Sequence, residues 1–265
     1  MTLFKSAAVA VALTSFSILP VAQAQSPEEK GYAIAERNDV SDVGFGTSSV
    51  ELKMTLADPS GRTTSRRLRI DTMEKSGKGN GDRAVTYFFS PADVEGTALL
   101  THTKILKNDD QWLYLPALRR IKRISSSNKS GPFVGSEFSF EDIAGSELGK
   151  YSYTYLETIT ENGLELDKLE CIPAYKRSGY SKIHCHFDNE VFQARKFVFF
   201  DRGGQKLKTL ILDDYREYDG GVWRAHKQVM TNHITGKETV LEFGDYVFGV
   251  DLDQRDFEPE ALERL

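Results

Sequence analysis

The sequence predicts a mainly β protein, one antiparallel meander of roughly eleven short strands of the kind that closes into a sandwich or barrel. Three observations predict it. Apolar and polar residues alternate over short runs, most clearly at Val50, Leu52, Met54 and Leu56 and again at Leu68 and Ile70. Turn signals separate the runs: Asp58-Pro59-Ser60-Gly61, Asn108-Asp109-Asp110, Glu161-Asn162-Gly163, Arg202-Gly203-Gly204 and Asp219-Gly220-Gly221. Finally, the 265 residues contain no repeat and no linker that would divide them, a length compatible with one all-β domain.

The N-terminus sets the compartment. Lys5 supplies a positive charge, Ala7 to Leu19 is apolar apart from small hydroxyl residues, and Ala22-Gln23-Ala24 is a small-residue cleavage site. Those three parts in order predict a secretory signal peptide over 1–24, too short to be an ordinary membrane span. The expected mature domain is 25–265. The residue directly after the cleavage site is Gln25 and not a cysteine, so a periplasmic protein without a lipid anchor is expected.

Ser26-Pro27-Glu28-Glu29 starts a helix: Ser26 can cap, Pro27 suits the first turn, and Glu29 completes a capping box. The helix should run to about Asn38. After the pair of strands around 50–56 and 67–71, further strands are expected at 84–90, 97–106, 111–115, 151–159, 164–172, 182–188, 194–200, 205–212, 222–234 and 238–247. A short helix over 257–262 should dock Leu262 and Leu265. Val85 to Phe89 and Phe197 to Phe200 are apolar on both faces. A sheet with one wet face needs only one apolar face, so these strands imply cover on both sides or a lined cavity.

Cys171 and Cys185 sit at matching distances from a turn near Arg177 to Gly179. Cysteines on adjacent strands of a hairpin can reach disulfide distance, and an exported protein meets oxidising conditions. A metal site would add His184 and His186 to Cys185, but in a strand Cys185 points to the other face, so no metal is expected. No G-x-S-x-G, P-loop, H-E-x-x-H or dinucleotide fingerprint is present. The expectation is a binding protein with no cofactor and no catalytic residues. A hydrolase assembled from scattered residues stays open, because a single sequence hides spatial clusters. The formal net charge of −5 argues against nucleic acid as a partner.

Residues 112–142 carry the most functional information. An apolar strand, Trp112 to Leu115, stops at Pro116, which cannot donate to a ladder. Arg119, Arg120, Lys122 and Arg123 follow, then a segment rich in Ser, Gly and Asn, then Phe133, Phe138 and Phe140 among small and acidic residues. Trp112, Tyr114, Phe133, Phe138 and Phe140 are candidates for lining or gating a lipid cavity. Arg119, Arg120 and Arg123 are candidates for contact with an anionic head group or partner, since Arg forks onto phosphate and carboxylate. A solvated strand face is the alternative for these charges. For Arg62, Arg66, Arg67 and Arg69, the other basic group, the solvated face is the favoured reading. Glu141 and Asp142 can cap a short helix at the end of the aromatic loop.

The run Leu113-Tyr114-Leu115-Pro116-Ala117-Leu118-Arg119-Arg120, continued by Arg123-Ile124-Ser125 and by Gly135-Ser136, Phe138-Ser139 and Glu141-Asp142, resembles the periplasmic outer-membrane lipoprotein-sorting protein family. Phe200-Asp201-Arg202, Tyr218-Asp219-Gly220 and Thr235 to Thr239 extend the likeness. Glu137 and Phe140 stand where the family pattern has Asp and Tyr. The resemblance implies a LolA/LolB-like fold: a curved, incompletely closed barrel with a few helices over its concave face, holding acyl chains between them. It also implies a carrier of lipid or acylated protein, in transient contact with a membrane and associated with an RND/MMPL-type exporter of the inner membrane. A ligand-free adaptor docking on such an exporter is the competing reading.

Overall fold

The structure is a computed structural model that describes residues 25–74, 80–145 and 147–264. The expected signal peptide and Leu265 lie outside them. Helix α1 spans Pro27–Val40, and Ser26 and Glu29 form the expected reciprocal cap. Fourteen strands follow among the described residues. They are β1 (Thr47–Ala57), β2 (Thr63–Met73), β3 (Asn80–Ser90), β4 (Ala98–Lys104), β5 (Asp110–Leu115), β6 (Arg120–Arg123) and β7 (Tyr151–Glu161), then β8 (Leu164–Pro173), β9 (Tyr180–Asp188), β10 (Ala194–Asp201), β11 (Lys206–Tyr218), β12 (Val222–Asn232), β13 (Glu238–Phe243) and β14 (Val247–Phe248).

All of them belong to one antiparallel sheet in the order β6-β5-β4-β3-β2-β1-β13-β12-β11-β10-β9-β8-β7, with β14 also on β1. Strands β6 and β7 end the path and do not pair with each other, so the curved sheet stays open. Its middle is the β1–β13 pairing, which joins the two ends of the chain. The additional strands are short. Arg120–Arg123 carries no alternation that betrays a strand, and only its pairing with β5 makes it one.

The alternation read in β1 decides which side chains meet. Leu52 pairs with Leu68 and Val50 with Ile70; Leu52, Leu68 and Ile70 belong to the concave core together with Met54, Phe88, Leu99, Leu169, Phe199, Leu210, Met230 and Leu241, and Val50 is buried. Ile34 and Ala35 of α1 join the same core. Helix α1 sits directly on β7: a Cβ at Gly31 would lie 2.8 Å from the Tyr155 amide nitrogen, so only glycine permits this approach.

A second core covers the convex face of β3–β6. Val85, Ala98, Leu100 and Tyr114 pack there with Phe257 and Leu262. The expected short C-terminal helix is two 3₁₀ turns, Gln254–Phe257 and Pro259–Arg264, broken at Pro259, which has no N–H to continue the first. Leu262 docks as expected. Cys171 of β8 and Cys185 of β9 form the disulfide, their Cα atoms 6.5 Å apart. The two cysteines are 14 residues apart in sequence, and closing a loop of that length contributes roughly 3 kcal/mol in the chain-entropy model.

Candidate functional site

The segment between β6 and β7 lies on the concave side and is folded on itself. The Phe133 amide donates to the Phe138 carbonyl at 2.7 Å, and Pro132 bridges Ser139. Val134 and Gly135 both take left-handed backbone, φ 46° and 78°, which makes the reversal tight. Phe133, Phe138 and Phe140 all turn inward and are buried. The Phe133 ring lies 5.6 Å from Phe88 and 5.8 Å from Phe140. Short helix α2 (Phe140–Ile143) follows. Its cap is Ser139 with Asp142 returning the bond, so Asp142 is the third helical residue and Glu141 lies inside the helix. Of the two acidic residues expected to cap it, Asp142 does so as the returning half of the box and Glu141 does not; the Ser139 hydroxyl, just ahead of the first turn, is the better-placed acceptor at the N-cap.

A polar belt holds this lid segment. Arg66 Nη1 donates to the Val134 carbonyl at 2.5 Å, Gln111 Nε2 to the Phe140 carbonyl at 2.9 Å, and Lys208 Nζ to the Glu137 carbonyl at 3.0 Å. Asn232 donates to Glu137 Oε2 at 2.7 Å. Asp142 accepts from Lys208 at 2.5 Å and from the Tyr180 hydroxyl at 2.6 Å. Glu141 accepts from Tyr175 and Ser178 hydroxyls and from the Gly179 amide. Asp109 takes Lys150 at 2.9 Å and Lys129 at 3.3 Å, with all three side chains buried. Burial lowers the Lys129 pKa against the pull of Asp109, and burial holds Tyr180 well above the ordinary tyrosine value, with Asp142 adding to it. Removing one partner from such a buried pair typically costs about 3–5 kcal/mol.

Beside the lid lies a cavity of about 110 Å³. Phe187, Phe197, Phe199, Ile183, Cys185 and Leu210 form its sheet wall. Ala35, Asn38 and Asp39 of α1 and Ala144, Gly145 and Leu148 of the lid segment face that wall. Of these, Asn38, Asp39, Gly145 and Leu148 also reach solvent, so the mouth opens between the end of α1 and the lid. Burial raises the Asp39 pKa, against the Leu148 amide that donates to it at 3.1 Å.

The shape of the whole assembly has close counterparts. The outer membrane lipoprotein-sorting protein domain from Vibrio parahaemolyticus superposes with a TM-score of 0.86 at 43% identity, over 89% of this chain and 100% of that one. The chain belongs to the outer membrane lipoprotein-sorting protein family. A DUF1329 family protein from Desulfovibrio piger matches with a TM-score of 0.84 at 26% identity, over 89% of this chain and 99% of that one. A LolA superfamily protein from Nitrosomonas europaea shares the fold at 21% identity, with a TM-score of 0.69 over 87% and 98%. A family model described only as an uncharacterized protein covers residues 80–264. No curated protein matches the chain. The fold is therefore the open, LolA-like barrel that the resemblance implied.

Within this lipoprotein-sorting fold the site residues read from sequence separate into three places. Phe133, Phe138 and Phe140 lie on the concave side but fill it, next to the cavity and not in its lining. Trp112 and Tyr114 are on the opposite face, in the convex core with Phe257 and Leu262. That corrects the expectation that they line or gate the interior. In β5 it is Leu113 that points to the concave core, so its neighbours must point away. Arg119, Arg120 and Arg123 are exposed on and beside the free edge strand β6. Arg123 pairs with Asp110 and lies over the Trp112 ring. Arg66 is the correction among the other arginines: it is buried and holds the lid, in phase with Leu68 and Ile70. His184 and His186 lie on the face opposite Cys185, which lines the cavity.

Proposed function

We propose that this chain is a periplasmic carrier that shields the acyl chains of a lipid or acylated protein in its concave interior and passes them to or from a membrane or a membrane transporter. The observation that carries the reading is the half-open apolar cavity beside a lid whose own contents are apolar. As it stands the cavity is small beside ligand pockets of about 300–1,000 Å³. It grows by displacing Phe133, Phe138 and Phe140, and an acyl chain entering their place buries the same concave surface. Apolar contact is exchanged for apolar contact, and each further buried CH₂ contributes about 0.8 kcal/mol. The belt that Arg66, Gln111 and Lys208 make to the lid backbone gives a defined closed position without filling the interior. Family membership supports the same role, and the exposed arginines on β6 supply a surface for an anionic membrane or an exporter of the RND/MMPL type.

The competing reading is a ligand-free adaptor on such an exporter. Organic extraction and native mass spectrometry of protein purified from its own periplasm separate the two. Co-purified lipid near one per chain, and binding of a fluorescent acyl probe that Ala144→Leu abolishes without unfolding the protein, are expected of the carrier. A protein that is free of lipid and takes up no probe is an adaptor.

A further inference from the structure

The cavity has a polar end, and its charged groups have one sign. Asp39, Glu141 and Asp142 are in the lining, with Asn38 and the tyrosines Tyr151, Tyr153 and Tyr180; no lysine, arginine or histidine is. The nearby ammonium groups already have partners. Lys208 is bound to Asp142 and to the Glu137 carbonyl, Lys150 to Asp109 and the Gly145 carbonyl, and Lys129 to Asp109. Arg37, in the last turn of α1, lies 4.9 Å over the Phe192 ring and outside the lining. Asp39 stands at the mouth with one oxygen on the Leu148 amide, and among the described residues no cation lies within ion-pair distance of it. It also belongs to the last turn of α1, where the helix presents its negative end. An anionic head group brought to this mouth meets repulsion and finds no free cation.

We propose that the cavity selects acyl chains whose head carries no net negative charge, such as glycerides and alkylammonium heads, and discriminates against free fatty acids, with Asp39 as the discriminating residue. This rests on the carrier reading and narrows its ligand class. The arginines on β6 are a separate feature at the sheet edge and take no part in this choice.

The test uses the mature protein loaded with the uncharged probe N-phenyl-1-naphthylamine. The probe is displaced by three amphiphiles of equal chain length, monolauroylglycerol, dodecyltrimethylammonium and dodecanoate, each below its micelle concentration at a pH where dodecanoate is ionised. The uncharged and cationic compounds should compete more strongly than dodecanoate by on the order of tenfold, and added salt should shrink the gap. Asp39→Asn keeps an acceptor for the Leu148 amide and should bring dodecanoate to within a factor of about two of the glyceride. Glu28→Gln, in the first turn of the same helix, far from Asp39 and outside the lining, should leave the ranking unchanged. Equal competition by all three in the wild type overturns the head-group selection and leaves the carrier standing. Dodecanoate as the strongest competitor also overturns it. Selectivity that survives Asp39→Asn in a folded variant removes Asp39 from the proposal. Absence of probe binding and of competition overturns the carrier reading itself, and the selection with it.

Discussion

Under β1–β5 the concave face is filled; under β7–β11 it is hollow. The sheet offers aromatic side chains on both sides. Phe88 meets Phe133 and, through it, Phe140. Phe187, Phe197 and Phe199 meet Ala35, Ala144 and Gly145 across the gap. The difference lies in the covering segment, which presents large residues to one half and small ones to the other. Large opposite large gives a packed core, and large opposite small leaves space. One open barrel thus carries both a packed half and a hollow half, and the lid segment belongs to both.

The comparison breaks first on stability. Phe133→Ala should cost about 3–5 kcal/mol, the range for truncating a fully packed aromatic side chain. Phe199→Ala should cost about half of that, because part of its ring faces empty space and has fewer contacts to lose. Urea denaturation of both variants checks this. Phe199→Ala should also retain the acyl probe, in a larger cavity. Equal costs would mean that the two halves are packed alike and that the hollow has no receiving role.

The outer wall of the hollow half should respond to acid. His186 lies on β9 behind Cys185 and Phe187, and burial, aided by the charge of Lys196, lowers its pKa to about 4. The unfolded chain titrates near pH 6.5, so between these values it binds the proton that the folded chain refuses. Stability from this group is complete above about pH 6.5 and is lost as the pH falls toward 4, by up to about 3 kcal/mol. Urea midpoints at pH 7.5 and 4.5 should show a smaller fall for His186→Gln than for the wild type. The same fall in both would assign the acid response to other groups. His102, lowered by burial on the convex side of the filled half, is the first candidate.

Much of this fold was legible in the sequence. The period-two alternation gave most strands, Ser26 and Glu29 gave α1, and the spacing about Arg177–Gly179 gave the disulfide. Which face of a strand lies on the concave side was not legible, because β3–β5 are covered on both faces. Trp112 and Tyr114 could be placed only together and only relative to Leu113. Arg66 carried a signal that composition hid: it shares the phase of Leu68 and Ile70, whereas Arg67 and Arg69 have the opposite one. The hollow had only an ambiguous signal: Phe197 to Phe200 is apolar on both faces, which fits ordinary cover as well as a lined cavity. Its cause is Ala35 and Ala144, small residues from segments far apart in the chain, brought opposite three phenylalanines by the curvature of the sheet.

The smallest expected effect on stability concerns the edge of the filled half. Arg119, Arg120 and Arg123 are exposed, and among the described residues only Arg123 has an ion pair, with Asp110. Exposed pairs contribute about 0.2–1 kcal/mol, so replacing all three arginines with Ala should leave urea stability within about 1 kcal/mol of the wild type. Two roles remain for the charges. They can guard a free strand edge against pairing with another chain, as charged edge strands do, or they can meet an anionic surface. Transfer measurements separate the two. If the arginines meet a membrane, the triple variant should deliver lipid more slowly to anionic vesicles at low salt, and the wild type should slow toward it as salt rises. Its retention of bound lipid should be normal, because the cavity mouth lies at Asp39 and Gly145. Replacing Phe138 and Phe140 with Ser should do the reverse, impairing retention through the lid while leaving the edge intact. A triple variant that transfers normally at both salt levels but self-associates shows that the arginines are edge guards. One that unfolds shows that they are structural, and then the separation of a basic docking edge from an acidic cavity mouth is wrong.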